Sequence, residues 1–469
     1  RVRPTPELFF PMFALLNVGS VPVLVDPGIA RRALKQCLDE ARPEAFIGIP
    51  LAMFAKTVLG WAKSARVRIG TGARAWFADA TLADVERDGT NAASQLADTN
   101  PDDIAAILFT SGSTGVPKGV VYRHRHFVAQ IGMLREAFGI EAGGVDLPTF
   151  PPFALFDPAL GLTSVIPDMD PTRPARANPR KLHAAIERFG IDQLFGSPAL
   201  MRVLAEHGAA LPTLRRVTSA GAPVPPEVVS RMLELLPDDA RLWTPYGATE
   251  CLPVAVIEGR ELLSLRERTE SGAGTCVGRP VPPNDVRIIR IGDEAIAEWS
   301  DGLLAGAGQV GEITVAGPTA TDAYWNRDAQ TTLAKIRETQ SDGAQRIVHR
   351  MGDLGYFDGA GRLWFCGRKS QRVVVDVDDE RSPRAGDCHG RHFHERARHR
   401  RRRGRRVVAG YPRSERPRQH AVGPRERGLR ERRCPPEGDE PTLLCGGGRL
   451  AHAILRSGRI TWTEPTREG

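Results

Sequence analysis

Paired cysteines, membrane-spanning runs and a secretory leader are all missing from this sequence, and each absence narrows the field. The seven cysteines are scattered, odd in number and free of C-x-x-C spacing, which argues against a disulfide framework and for a reducing, cytoplasmic setting. The most apolar stretch, 8–25, is interrupted by Pro11, Asn17, Gly19, Ser20 and Pro22, so it reads as a helix followed by a buried strand rather than a membrane span. No basic segment leads to a small-residue cleavage site at the front. The chain opens on Arg1 rather than Met, and the expectation is a chain shortened at its N-terminus.

Lysine is missing from the last part of the chain. After Lys369 there is none, and from residue 374 onward 23 Arg stand against 14 Asp or Glu, a net +9 that leaves −1 for everything before it, given +8 overall. A body close to neutrality does not suggest a nucleic-acid partner. The tail at 374–469 is Arg-rich and without a sustained apolar period, with HGRHFHERARHRRRRGRR at 389–406. It is expected to be disordered or the product of a shifted reading frame in a GC-rich gene. A basic tail serving an anionic partner is the competing reading, but it lacks both lysine and the aromatic interleaving of a nucleic-acid surface. A metal site at 388–399 fits no regular zinc spacing.

At 469 residues, with 41% apolar and 26% charged residues, the chain is long enough to bury large cores in more than one unit. Up to about residue 373, short β-branched runs alternate with helix-period segments, which predicts an α/β class. Strands are expected at 21–26, 105–110 and 241–247, helices at 179–188 and 226–236, and a smaller β-rich subdomain around 286–315.

The chemistry begins at 110–119, TSGSTGVPKG. Small hydroxyl and glycine residues let backbone N–H groups approach an anion, and the closing lysine adds a cation. This is not a Walker A loop, because Pro117 and Gly119 flank Lys118 where Gly and Ser or Thr are required. The longer run FTSGSTGVPKGVVYRHRHF at 109–127 resembles the signature phosphate loop of the acyl-adenylate-forming superfamily, the AMP-dependent synthetases and ligases. Three further segments match that family in order: SAGAPVP at 219–225, TPYGATE at 244–250 and RMGDLGYFDGAGRLWFCGRK at 350–369.

The resemblance implies a large domain of stacked mixed α/β subdomains over 1–373, with the small mobile C-terminal domain absent or replaced, and it implies ATP and Mg2+. Thr110, Ser111, Gly112, Ser113, Thr114, Gly115 and Lys118 would meet the β- and γ-phosphates. Gly221, Ala222 and Pro223 would lie against the adenine, with Tyr246 stacked on it and Gly247 beside it. Thr249 would bond the α-phosphate, and Glu250 would hold the metal through a hard carboxylate oxygen. Asp353 would accept both ribose hydroxyls, and Arg368 would lie near the ribose. His124 and His126 are weaker candidates, since histidines at a helix start are commonly solvated. The family also uses a lysine from its small domain. No lysine follows Lys369 here, so ATP binding with impaired adenylation is the expectation.

The segments LPTFPPFALFDPALGLTSVIPDMDP at 147–171 and LFGSPALM at 194–201 are expected to form an acyl pocket, with Phe150, Phe153, Phe156, Leu162 and Gly196 along it and Asp157 meeting a polar substrate group. They resemble the branch of the superfamily that works in bacterial olefin biosynthesis. That resemblance implies closure of a 2-alkyl-3-hydroxy fatty acid to a β-lactone, with other enzymes of that pathway as partners. A fatty-acid CoA ligase and a non-catalytic basic interaction protein are the alternatives.

Overall fold

The computed structural model describes residues 6–25, 29–72, 77–90, 96–110 and 117–376, together with 405–408 and 442–444. A small parallel sheet (Ala45–Gly48, Val67–Gly70, Ala80–Thr81) and a mixed one (Val23–Val25, Ile104–Thr110, Lys118–Arg123) occupy the front of the chain. The helix Pro6–Asn17 precedes Val23–Val25, as the interrupted apolar run suggested. That strand is half-buried rather than buried, however: among the described residues it pairs with Ile104–Thr110 alone, at the sheet edge.

The centre is a mixed sheet in which Val145–Pro148, Gln193–Gly196, Arg216–Ser219 and Arg241–Ala248 run parallel. Its helices begin and end where the residues dictate. Pro179–Phe189 starts with proline at its first position and with Asn178 Oδ1 accepting from the Arg180 N–H at 3.0 Å. It ends at Gly190, whose φ of 59° suits a residue without Cβ. Leu182 and Ile186 point inward one turn apart, as do Leu200 and Leu204 on Pro198–His207, and they meet strand residues Leu147, Leu194, Val217 and Leu242 in one core. Each such side chain contributes about 1.5–3 kcal/mol by leaving water.

The β-rich region is real but not a separate sheet. Thr275–Pro280 pairs with Cys251–Glu258 on one side and Leu363–Arg368 on the other, so the strands Asp285–Ile289, Gly311–Ala316, Lys335–Thr339 and Gln345–Phe357 continue the central sheet. Asp358 turns the hairpin, its N–H donating to the Arg362 carbonyl at 3.0 Å. Trp364 and Tyr356 stack in the core, as packing residues should. Arg350 and Glu312, both buried, pair at 2.6 Å, and Lys369 reaches the same carboxylate at 3.0 Å. Of the tail, Arg405–Val408 pairs with Val373–Asp376, and Thr442–Leu444 with Thr163–Ile166. The histidine-rich stretch 389–399 lies outside the described residues. Among the described residues no helix is long and apolar enough to cross a membrane.

Candidate active site

The strands Ile104–Thr110 and Lys118–Arg123 form an antiparallel pair with Phe109 opposite Gly119 and Thr110 opposite Lys118. Gly119 is required by packing, since a Cβ there would sit 2.8 Å from Phe109 Cζ and 2.9 Å from Ile107 Cγ2. Ser111, Gly112, Ser113, Thr114 and Gly115, between these strands in sequence, lie outside the described residues. Beyond them the Lys118 ammonium stands 4.4 Å from the centroid of the Tyr324 ring.

That ring leads to Glu250. The strands Arg241–Ala248 and Cys251–Glu258 meet in a turn at 249–250, and Gly247 allows the chain to double back, because a Cβ would lie 2.9 Å from the Cys251 carbonyl oxygen. Side chains distant in sequence grip the turn. Tyr122 donates its hydroxyl to the Thr249 carbonyl at 2.6 Å, while Gln130 Nε2 spans the Tyr122 oxygen and the Leu252 carbonyl, both at 3.2 Å. Thr321 donates its N–H and its hydroxyl to the Glu250 carbonyl at 2.9 and 3.0 Å. Tyr324 donates its hydroxyl to Glu250 Oε1 at 2.7 Å. Burial, reinforced by the Glu250 charge, raises the Tyr324 phenol far above its ordinary range, so it stays a neutral donor.

A second corner forms where Tyr246 and Arg368 converge on Asp353. Tyr246 donates to Asp353 Oδ2 at 2.7 Å, and the Arg368 guanidinium lies 2.9 Å from Oδ1. That approach is an ion pair out of hydrogen-bonding alignment, so Oδ1, buried, has no hydrogen-bond donor among the described residues. Burial pushes the Asp353 carboxyl up to about 6, with Arg368 and the Tyr246 hydroxyl acting in opposition. Gly221, at a φ of 96°, Ala222 and Pro223 form an exposed loop after Arg216–Ser219.

The predicted acyl-pocket phenylalanines do come together. Phe153 stacks on Phe195 with centroids 4.0 Å apart, Phe150 and Phe156 lie 5.6 and 6.3 Å from Phe153, and Phe127 joins Phe156 to Tyr122. Leu162 is buried, and Phe150 is half out in solvent at 38% exposure. Gly196 touches the start of the next helix so closely that a Cβ would meet Met201 Cε at 2.7 Å. Asp157 is buried with its carboxylate accepting the Ser164 hydroxyl, and burial pushes it up to about 7.

His126 departs from the solvated reading. It is fully buried, accepts the Arg123 N–H on Nδ1 at 3.0 Å, and burial lowers it to about 4, so it is a neutral imidazole. Tyr122 and Phe127 lie inside the 109–127 match and Phe195 inside 194–201, so the motifs held them without marking a role. Thr321, Tyr324 and Lys335 lie outside the matched segments, and their proximity to Glu250 is a product of tertiary folding.

The sequence profile described as AMP-binding enzyme matches residues 2–325. Two olefin β-lactone synthetases, from Xanthomonas campestris pv. campestris and Stenotrophomonas maltophilia, are each 70% identical over 372 residues, covering 79% of this chain and 67% of theirs. Among solved structures, a long-chain-fatty-acid-CoA ligase from Archaeoglobus fulgidus superposes with a TM-score of 0.61 at 21% identity, over 80% of this chain and 75% of that one. An O-succinylbenzoate coenzyme A synthetase from Bacillus subtilis, in complex with ATP and magnesium ion, does so with 0.58 at 18%, over 78% and 68%. At those identities the structures establish the fold.

Proposed function

The chain belongs to the AMP-binding enzyme family, and from that premise we propose that it activates a 2-alkyl-3-hydroxy fatty acid with ATP and closes it to a β-lactone. The observation that carries the substrate class is the 70% identity to two olefin β-lactone synthetases. The acid's carboxylate attacks the α-phosphorus of ATP, giving an acyl-adenylate and pyrophosphate. The acid's own 3-hydroxyl oxygen then attacks the acyl carbon, its proton leaves to solvent, and AMP departs as the four-membered ring closes. A nucleophile already tethered two carbons away gains the advantage of proximity and requires no coenzyme A.

The residues divide this work. Lys118 and the loop at 110–115 face the polyphosphate, Thr249 the α-phosphate, and Tyr246 with Gly221, Ala222 and Pro223 the adenine. The bare Oδ1 of Asp353 takes a ribose hydroxyl, beside Arg368. Among the described residues no group of three His, Cys, Asp or Glu side chains could hold a metal. One carboxylate, Glu250, suits magnesium arriving on the phosphates, since this ion is commonly bound by one or two carboxylates plus phosphate oxygens and water. When bound, the ion neutralises polyphosphate charge. The ring cluster of Phe150, Phe153 and Phe156, with Gly196, holds the alkyl chain; Asp157, expected to meet a polar substrate group, is buried and accepts the Ser164 hydroxyl, so it would first have to leave that bond. The adenylation domain spans 1–373.

The test is a single-turnover reaction at stoichiometric protein with ATP, magnesium and a 2-alkyl-3-hydroxy fatty acid, read by mass spectrometry. AMP and β-lactone in equal amounts, with or without coenzyme A, are expected. Thioester formed only when coenzyme A is present, with no lactone, would move the assignment to an acyl-CoA ligase.

A further inference from the structure

Next to the metal carboxylate lies a lysine that the adenylation chemistry above leaves unused. Lys335 opens the strand Lys335–Thr339 and is 6% exposed. A buried ammonium is costly unless partnered, yet among the described residues it has no carboxylate at ion-pair distance. Its contacts are the carbonyl oxygen of Thr321 and Thr321 Oγ1, the latter at 3.2 Å. The contrast within the same sheet is Arg350, whose charge is absorbed by Glu312 at 2.6 Å.

We propose that Lys335 is a positioning residue of the Glu250 metal site, acting through Thr321 and Tyr324; this rests on the adenylation reading. An ammonium is donor-only, so a bond from Lys335 to Thr321 Oγ1 occupies a lone pair and leaves the hydroxyl proton to point elsewhere. It points at the Glu250 carbonyl, 3.0 Å away, while the Thr321 N–H grips the same oxygen at 2.9 Å. Lys335 thereby fixes the direction of one of the bonds that hold the turn at 249–250.

The second route is the Tyr324 ring, which has the Lys335 ammonium 5.9 Å and the Lys118 ammonium 4.4 Å from its centroid. Cations at that range are attracted to the ring and draw electron density from it, which makes the phenol a stronger donor to Glu250 Oε1 at 2.7 Å. The groups packed around Lys335 favour its charge being used at a distance. His349, its cross-strand neighbour, is held neutral by burial and hydrogen-bonds Ala334, while Glu250 and Asp322 act on the ammonium at longer range. Burial lowers Lys335 to about 8, so it is mostly charged at neutral pH.

The test is calorimetric titration of ATP into the full chain at a series of Mg2+ concentrations, with a thermal melt of each variant as the control for folding. Lys335→Met is expected to raise the Mg2+ concentration that half-saturates ATP binding by about tenfold, the scale on which outer-shell partners act. Lys335→Gln, which keeps a donor but no charge, should fall between it and wild type. Thr321→Val should raise the requirement as well, and adding it to Lys335→Met should bring less than the product of the separate effects. An unchanged Mg2+ requirement in Lys335→Gln and Thr321→Val, with only a lowered Tm, would make Lys335 a structural lysine and overturn the inference. A lowered requirement would do the same, since it would mean the ammonium merely repels the ion. Absence of ATP binding by the wild-type chain would instead overturn the adenylation reading, and this inference with it.

Discussion

Around Glu250 and Asp353 the molecule holds charge in a partly buried hydrogen-bond network; around Phe153 it packs half-buried rings. The first region is assembled from long-range contacts: Tyr122 to Thr249, Tyr246 to Asp353 and Tyr324 to Glu250 join residues 127, 107 and 74 positions apart. Most polar groups there have a partner; among the described residues the buried Gln130 Oε1 and Asp353 Oδ1 have no hydrogen-bond donor, the latter with the Arg368 guanidinium 2.9 Å away. The second region is mostly local. Phe150, Phe153 and Phe156 sit on one short helical turn and its flanks, with Phe195 added from the neighbouring strand. Charge positioned by distant partners gives geometry that tolerates little change, while apolar packing tolerates substitution of similar volume.

The comparison breaks most severely at the charged side. Arg350→Met leaves buried Glu312, among the described residues, with Lys369 as its remaining cation, and should cost up to about 3–5 kcal/mol of stability in a denaturant titration. Glu250→Gln should leave the fold intact but weaken Mg2+-dependent ATP binding by at least the roughly 10- to 100-fold that outer-shell metal partners cost, measured by calorimetry.

Asp353→Asn removes a charged hydrogen-bond acceptor worth about 1.5–3 kcal/mol, or roughly 10- to 100-fold in ATP affinity. The same residue predicts a pH dependence. Its folded pKa of about 6 lies above the ordinary carboxylate value, so it binds protons more readily folded than unfolded. Its contribution to stability is therefore present in acid and is lost as pH rises through about 6. The proposed ribose contact runs the opposite way, because the ionised carboxylate is the better acceptor. ATP affinity should fall as pH drops below about 6 in the wild type, and Asp353→Asn should flatten that part of the profile. The smallest effect is expected on the apolar side. Phe153→Ala loses its stack on Phe195, and because Phe153 is only half-buried the cost should be about 1–2 kcal/mol. It should weaken acid binding while ATP affinity stays unchanged.

The same contrast explains what could be read from the residues alone. The α/β class, the strands expected at 105–110 and 241–247 and the helices from Pro179 and Pro226 are local in origin, set by β-branched runs, helix-starting prolines and, after Phe189, a closing glycine. The convergence of Tyr246, Asp353 and Arg368 was legible only through the family resemblance, since nothing in their spacing brings them together. Tyr324, Thr321 and Lys335 escaped both routes: each is unremarked in sequence and acquires its place by tertiary contact, Lys335 opposite His349, Tyr324 by a bridge to Val120 and Thr321 through the Glu250 carbonyl. The continuity of the β-rich region with the central sheet was missed for the same reason, because it depends on Thr275–Pro280 having two partners.

The most direct test of the account is the affinity of a stable acyl-sulfamate analogue of the adenylate, carrying a 2-alkyl-3-hydroxy acyl chain, compared with AMP on the same chain. The account predicts that the analogue binds much more tightly than AMP, that Asp353→Asn weakens both, and that Phe153→Ala weakens only the analogue. An analogue that binds no better than AMP, or that loses nothing with Phe153→Ala, would contradict the claim that these two regions form one site.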